Sequence, residues 1–307
     1  MLDDRVSGAI RWGRYLVRKT GYALLLLSIL LLQPALHAAT NVKSEFFTTS
    51  DGVKLHYLES GAGPTILFVP GWTMPAEIWQ PQIAYFSRNY HVVAIDPRSQ
   101  GDSDKTPDGN YPGRRAQDYK DLIDHLGSSP VVMVGWSLAV QESLTYVQMF
   151  GTYKLSGLVL VDLGIYTIST PEELNRRYEQ FHTFQSSRQK YTETFVRGMY
   201  HKPQSEEYLK SVIEASLKTP TSAGIALISE LAIKYDERPV LSKLNIPVLA
   251  VMTQNNRAAA ELITSTVPGG QAEVFEDAGH CLFVDDADRF NTLLESFLQK
   301  ASQGAGK

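Results

Sequence analysis

The chain has 307 residues, 43% hydrophobic and 20% charged, with 29 basic against 33 acidic side chains. That length suits one globular unit, or a core with an insertion. The slightly acidic balance excludes the basic surface that nucleic-acid binding needs, and the single cysteine, Cys281, excludes an intramolecular disulfide.

Residues 1–39 stand apart. Arg5, Arg11, Arg14, Arg18 and Lys19 precede an uncharged run over 22–32, and Pro34, Ala38 and Ala39 follow. This is the pattern of a signal peptide cut near Ala38 or Ala39, so the mature chain is expected to be periplasmic or secreted. The apolar run is shorter than the roughly 20 residues that span a bilayer, so no stable membrane span is expected after cleavage. The long basic flank keeps a retained N-terminal anchor as the alternative. Without these residues the chain holds 24 basic and 31 acidic side chains.

The alternating runs 45–49 and 53–57 flank Ser50-Asp51-Gly52, which predicts a hairpin. A buried strand is expected at 65–69, a helix over 76–88, a strand at 91–95, a helix over 114–126 and a strand at 131–134. Gly61-Ala62-Gly63-Pro64 reads as a turn before a strand, not as a phosphate-binding loop. A helix to Phe150 and a strand at 158–161 continue the alternation. Apolar strands alternating with helices predict an α/β fold, with a parallel sheet covered on both faces.

Over 165–238 the pattern changes to helical spacing rich in Glu, Arg, Gln, Tyr and Phe, with no clear strand. Thr170-Pro171-Glu172-Glu173 is a helix start, and Pro203 and Pro220 are breaks. About 70 residues is too long for a plain connection. The segment is therefore expected to be an inserted helical cap, leaving 40–164 and 239–307 as the core. The core resumes at 247–252, followed by a helix over 257–266, a strand at 272–275 and a helix over 286–299. No phosphate loop or metal-ligand cluster is visible, and no cofactor is expected.

The most informative stretch is Val131-Val132-Met133-Val134-Gly135-Trp136-Ser137-Leu138-Ala139. A β-branched run enters Gly-x-Ser-x-Ala, and a helix-prone run follows. That is the order of a nucleophile elbow, whose tight turn demands small residues two before and two after the serine. A buried strand ending in a Ser helix cap is the plainer alternative. A serine hydroxyl needs a base. His280, in Asp277-Ala278-Gly279-His280 after the last strand, is the candidate. Cys281 beside it reads as a small buried apolar residue.

In motif order, spacing and termini, the stretch from Thr65 to His280 resembles the α/β-hydrolase family. The resemblance implies a mostly parallel, doubly wound sheet with an inserted helical cap, and Ser137 and His280 as nucleophile and base. An oxyanion needs two fixed donors. One is expected to be the backbone N–H of Leu138, and by the resemblance the other is that of Trp72. Many relatives have His-Gly before that donor, where this chain has Pro70-Gly71. Asp96, Arg98, Gly101 and Ser103 match the family's structural turn.

The acid departs from the pattern. Its usual place, after 248–252, reads Thr253-Gln254-Asn255-Asn256, with Asn256 where relatives carry Asp. An amide cannot supply the charge. Either catalysis has been lost or the acid comes from another strand, and Asp162 ends the strand at 158–161. The expected activity is cleavage of a carboxylic ester, lactone or similar acyl bond of a small molecule, through an acyl-enzyme. Trp72, Trp136 and the aromatics Tyr178, Phe181, Phe184, Tyr191, Phe195 and Tyr200 suggest an apolar pocket, although most of them would serve to pack the cap. Pro70 and Asn256 favour the alternative of a non-catalytic binding or sensor protein. Cofactor-free haloperoxidase-like chemistry on the same three residues is the other alternative.

Overall fold

Glycine at the Asp51-Gly52 turn lets the chain reverse with φ of 85°. It joins β1 (Lys43–Thr48) to β2 (Lys54–Ser60) as an antiparallel hairpin. The computed structural model describes residues 41–127 and 130–304. The expected signal peptide lies outside them.

The chain continues through β3 (Thr65–Val69), α1 (Gln80–Phe86), β4 (His91–Ile95), α2 (Pro112–His125), β5 (Val131–Trp136), α3 (Leu138–Phe150) and β6 (Leu155–Val161). The insertion then runs through β7 (Tyr166–Ile168), α4 (Pro171–Ser186), α5 (Arg188–Gly198), α6 (Glu206–Leu217), α7 (Thr221–Ile233) and β8 (Lys234–Asp236). After α8 (Arg238–Leu241) come β9 (Val248–Thr253), α9 (Arg257–Thr266), β10 (Gln271–Phe275), α10 (Leu282–Asp285) and α11 (Ala287–Gly304).

Eight strands form one sheet in the order β1-β2-β4-β3-β5-β6-β9-β10. The pairs from β4 to β10 are parallel, and β2 joins β4 antiparallel. After β3 the chain builds outward through β4, then returns to the other side of β3 to lay down β5 and β6. The carboxyl ends of β3 and β5 therefore lie side by side, with Val69 opposite Gly135. Such a reversal leaves a crevice at the strand ends, where ligands bind in open α/β sheets.

The pleat sends Leu67 and Val69 to one face and Ile66 and Phe68 to the other. The first pair packs in a core with α2, α3 and α9, the second with α1 and α11. This two-sided burial is why the strands read as continuous apolar runs.

Thr170 starts α4 through a reciprocal capping box with Glu173, as its sequence suggests. The short antiparallel pair β7–β8 at the base of the insertion was not expected. Three residues per strand are too few to leave an alternating pattern. Of the insertion's aromatics, Phe184 is buried against Trp72 while Tyr178 is 59% exposed. Among the described residues no helix is long and apolar enough to cross a membrane.

Candidate active site

Ser137 joins β5 to α3 with φ of 56° and ψ of −124°, a backbone that side-chain-bearing residues rarely adopt. Its own N–H donates to Val161 O at 2.8 Å, and its carbonyl accepts from Val140 N at 2.8 Å. A Cβ at Gly135 would lie 2.5 Å from Ser143 Oγ and 2.6 Å from Ala139 O. Glycine is thus the residue that lets α3 fold back over β5, and the small Ala139 lies fully buried beneath it.

His280 lies against this serine, with Nε2 2.8 Å from Ser137 Oγ. Its Nδ1 lies 2.8 Å from Asp162 Oδ2. Asp162 directly follows β6 with φ of 48°, held by its N–H to Val251 O at 2.9 Å. An ionised carboxylate only accepts, so His280 donates from Nδ1 and leaves Nε2 to accept the Ser137 hydroxyl proton. The structure brings together Ser137, His280 and Asp162.

Asn256 plays a different part. Its Nδ2 donates to Asp162 Oδ1 at 2.9 Å, alongside Thr253 N and Thr253 Oγ1 at 2.8 Å each. Burial pushes the Asp162 carboxyl up, but the donors from His280, Asn256 and Thr253 outweigh it and hold the group below its ordinary value of 3.8. Sequence reasoning singled out Asn256 only as a missing acid. The signal it carried was the side chain of a donor, next to an acid on the neighbouring strand.

The loop after β3 passes directly beside the serine. A Cβ on Gly71 would lie 2.8 Å from Ser137 Cβ and 3.3 Å from its Oγ. Trp72 follows, its indole Nε1 donating to Gly224 O at 2.7 Å and so fastening the loop to α7. Leu138 is the first residue of α3, so its N–H has no acceptor within the helix. Trp72 and Leu138 also pack with Phe184 and Leu227 in an apolar cluster that joins core and insertion.

Asp285, five residues after His280, fixes the histidine loop. Its Oδ2 accepts from Gly279 N and His201 N, each at 2.7 Å. The loop is pinned again where Cys281 N donates to Met199 O at 2.9 Å and Trp136 Nε1 donates to His280 O at 2.9 Å. Cys281 itself is buried in the core, and burial pushes its thiol pKa well up. A cavity of about 490 Å³ lies beside His280, between Asp162 and Asn256 on one side and Phe195 and Met199 of the insertion on the other.

Asp96 holds the turn after β4, accepting from Ala76 N at 2.6 Å, Asp102 N at 2.7 Å and His56 Nδ1 at 2.8 Å. Among the described residues, His56, Asp96 and Asp102 alone are close enough together to share a metal ion. Their atoms are engaged within the protein, with Asp102 also paired to Lys218 at 2.6 Å. A Cβ at Gly101 would lie 2.0 Å from Asp96 Cγ, so this turn requires glycine.

The family model described as "Alpha/beta hydrolase family" matches residues 66–293. A non-heme haloperoxidase of Rhodococcus erythropolis is 26% identical over 277 residues, covering 83% of this chain and 99% of the relative. A pimeloyl-[acyl-carrier protein] methyl ester esterase of Aliivibrio salmonicida is 26% identical, covering 80% and 96% respectively. Among solved structures, an esterase from Exiguobacterium antarcticum superposes with a TM-score of 0.77 at 21% identity, covering 84% of this chain and all of its own. The chain belongs to the α/β-hydrolase family.

Proposed function

We propose that this protein is a serine hydrolase that cleaves a carboxylic ester, lactone or similar acyl bond of a small molecule. The observation that carries the reading is the unbroken hydrogen-bonded line from Ser137 Oγ through both His280 nitrogens to Asp162. His280 Nε2 takes the hydroxyl proton as Oγ bonds to the substrate carbonyl carbon. The carbonyl oxygen gains the negative charge, which the N–H groups of Leu138 and Trp72 stabilise. Collapse breaks the bond to the leaving oxygen, which receives the proton from His280. Water then repeats the sequence on the acyl-enzyme and releases the acid. Asp162 stabilises the imidazolium in both halves. Relatives named as esterases support the ester chemistry.

Residues 165–238 would act as a cap, with Phe184 and Leu227 closing an apolar wall beside Trp72. The names of two relatives, a non-heme haloperoxidase and a non-heme chloroperoxidase, favour a second reading. In it, hydrogen peroxide replaces water in attacking the acyl-enzyme and a peracid leaves. The reading as a non-catalytic binding or sensor protein keeps only Pro70 in its favour, since Asn256 serves Asp162. Export to the periplasm or medium is proposed from residues 1–39.

The test is a panel of p-nitrophenyl esters of increasing acyl length, run with and without peroxide, on purified protein. Hydrolysis with fluorophosphonate labelling at Ser137 supports the reading. Absence of both overturns it. N-terminal sequencing of the periplasmic fraction should begin within a few residues of Thr40, whereas Met1 on membrane-bound protein would favour the anchor.

A further inference from the structure

Pro70 removes a polar side chain that could steady the loop beside Ser137, yet that loop bends sharply. Thr73 has φ of 60°, and Met74 N closes back onto Gly71 O at 3.2 Å. A backbone in this region holds only when its surroundings fix it. Here the fixing group comes from the turn after β4.

Gln100 is fully buried, and its amide makes four hydrogen bonds. Its Nε2 donates to Gly71 O at 3.0 Å and to Met74 O at 2.8 Å. Its Oε1 accepts from Thr73 N at 3.1 Å and from Arg115 Nη2 at 3.0 Å. Two carbonyls face one end of the amide and two N–H donors the other. Only one orientation satisfies them, and it uses the full capacity of the group.

Arg115 extends the connection. Its Nη1 donates to Glu142 Oε1 at 3.1 Å, and its Nη2 to Arg98 O at 2.6 Å. Arg115 and Glu142 are also fully buried, and the Glu142 carboxylate takes the Tyr119 hydroxyl as well. Glu142 stands on α3 four residues after Leu138, one helical turn from the other oxyanion donor. A buried polar line thus runs from the helix presenting Leu138 to the turn presenting Trp72. Buried networks of this kind hold geometry through their bonds. Among the described residues of this one, Arg115 Nε alone is buried without a partner, while Nη1 and Nη2 carry the connection.

We propose that Gln100 is a positioning residue for the oxyanion hole. It fixes the Gly71–Met74 turn so that the Trp72 N–H faces Ser137, while Arg115 and Glu142 set that turn against the start of α3. It thereby takes over the support that residue 70 does not give. This rests on the acyl-enzyme reading above, because only a reaction that develops charge on the carbonyl oxygen needs that N–H in place.

The test compares wild type with Gln100→Met, which has similar length without the amide, and with Gln100→Glu, which keeps the size but loses both donors. Three quantities are read: kcat per serine titrated with fluorophosphonate, KM, and the affinity for an alkyl boronic acid. The boronate bonds to Ser137 Oγ and places an oxygen where the oxyanion forms. Because misplacing a catalytic group by about 1 Å costs on the order of 10²-fold, kcat per titrated serine should fall about 10–10²-fold. Boronate affinity should fall by a similar factor, with KM within about threefold.

A purely structural role would lower the melting temperature and the titratable fraction, but leave kcat per titrated serine and boronate affinity unchanged. That result overturns the proposal. If Gln100→Met does not fold, Gln100→Glu carries the same comparison. Boronate binding that depends on Gln100 in a protein that cleaves no ester would sustain the positioning role and sink the ester reading. A wild type that binds no boronate would sink both.

Discussion

Replacing Asp162 by asparagine turns the geometry of its four donors into a quantitative expectation. Thr253 N, Thr253 Oγ1 and Asn256 Nδ2 all point at Oδ1, while His280 Nδ1 alone meets Oδ2. In Asp162→Asn the amide oxygen must take the Oδ1 place, because three donors demand an acceptor there. The amide NH₂ then faces His280 Nδ1. A ring nitrogen facing a donor must accept, so the proton moves to Nε2 and points at Ser137. The histidine is locked in the tautomer that cannot take the hydroxyl proton. An Asp-to-Asn change that fixes the wrong tautomer lowers kcat about 10⁴-fold, or about 5.4 kcal/mol of transition-state stabilisation. The three retained bonds become neutral rather than charge-assisted, so a loss of about 1–3 kcal/mol in stability should accompany the change. The assay is kcat on a p-nitrophenyl ester at fixed pH, with urea unfolding alongside. A kcat within tenfold of wild type in folded Asp162→Asn, together with a large loss in Asn256→Ala, would refute the reasoning.

Other expectations follow from the same contacts. Asn256→Ala removes one donor to a buried carboxylate and should lower kcat far less than Asp162→Asn does, read in the same assay. Asn256→Asp places a second carboxylate against Asp162, and like charges at that distance raise the apparent pKa of the pair. Its acid limb of kcat against pH should move upward, while in the Asp162→Asn background the same change should restore part of the activity. Gly71→Ala drives a methyl to 2.8 Å from Ser137 Cβ and should lower kcat at least about 10²-fold, with the melting temperature showing whether the fold survives. The stability contributed by the depressed Asp162 pKa is fully present above the ordinary value of 3.8 and is lost as pH falls through the folded value. The difference in unfolding free energy between wild type and Asp162→Asn should therefore shrink below about pH 4, measured by denaturant titration.

Much of the core was legible because buried parallel strands leave uninterrupted apolar runs. The runs at 65–69 and 91–95 became β3 and β4 with the same limits. Ser137 could be read because its strained turn admits only small neighbours, and Gly135 records that demand. Strands β7 and β8 were not legible, since three-residue strands carry no periodicity. Asp162 could be narrowed to but not fixed, because its reach to His280 depends on β6 lying next to β9, a pairing between distant segments. The donors Thr253 and Asn256 depend on that same pairing. Gln100 gave no signal at all. Its four partners come from the loop after β3 and from α2, and nothing in the local sequence of the turn marks it as their neighbour.

The most direct measurement is active-site labelling and turnover on wild type and Ser137→Ala side by side. Wild type should hydrolyse a short p-nitrophenyl ester and take up one fluorophosphonate, mapped by mass spectrometry to Ser137. Ser137→Ala should lose at least about 10³-fold of the rate and all of that label. Full activity and undiminished labelling in Ser137→Ala would contradict the assignment of the elbow serine as nucleophile.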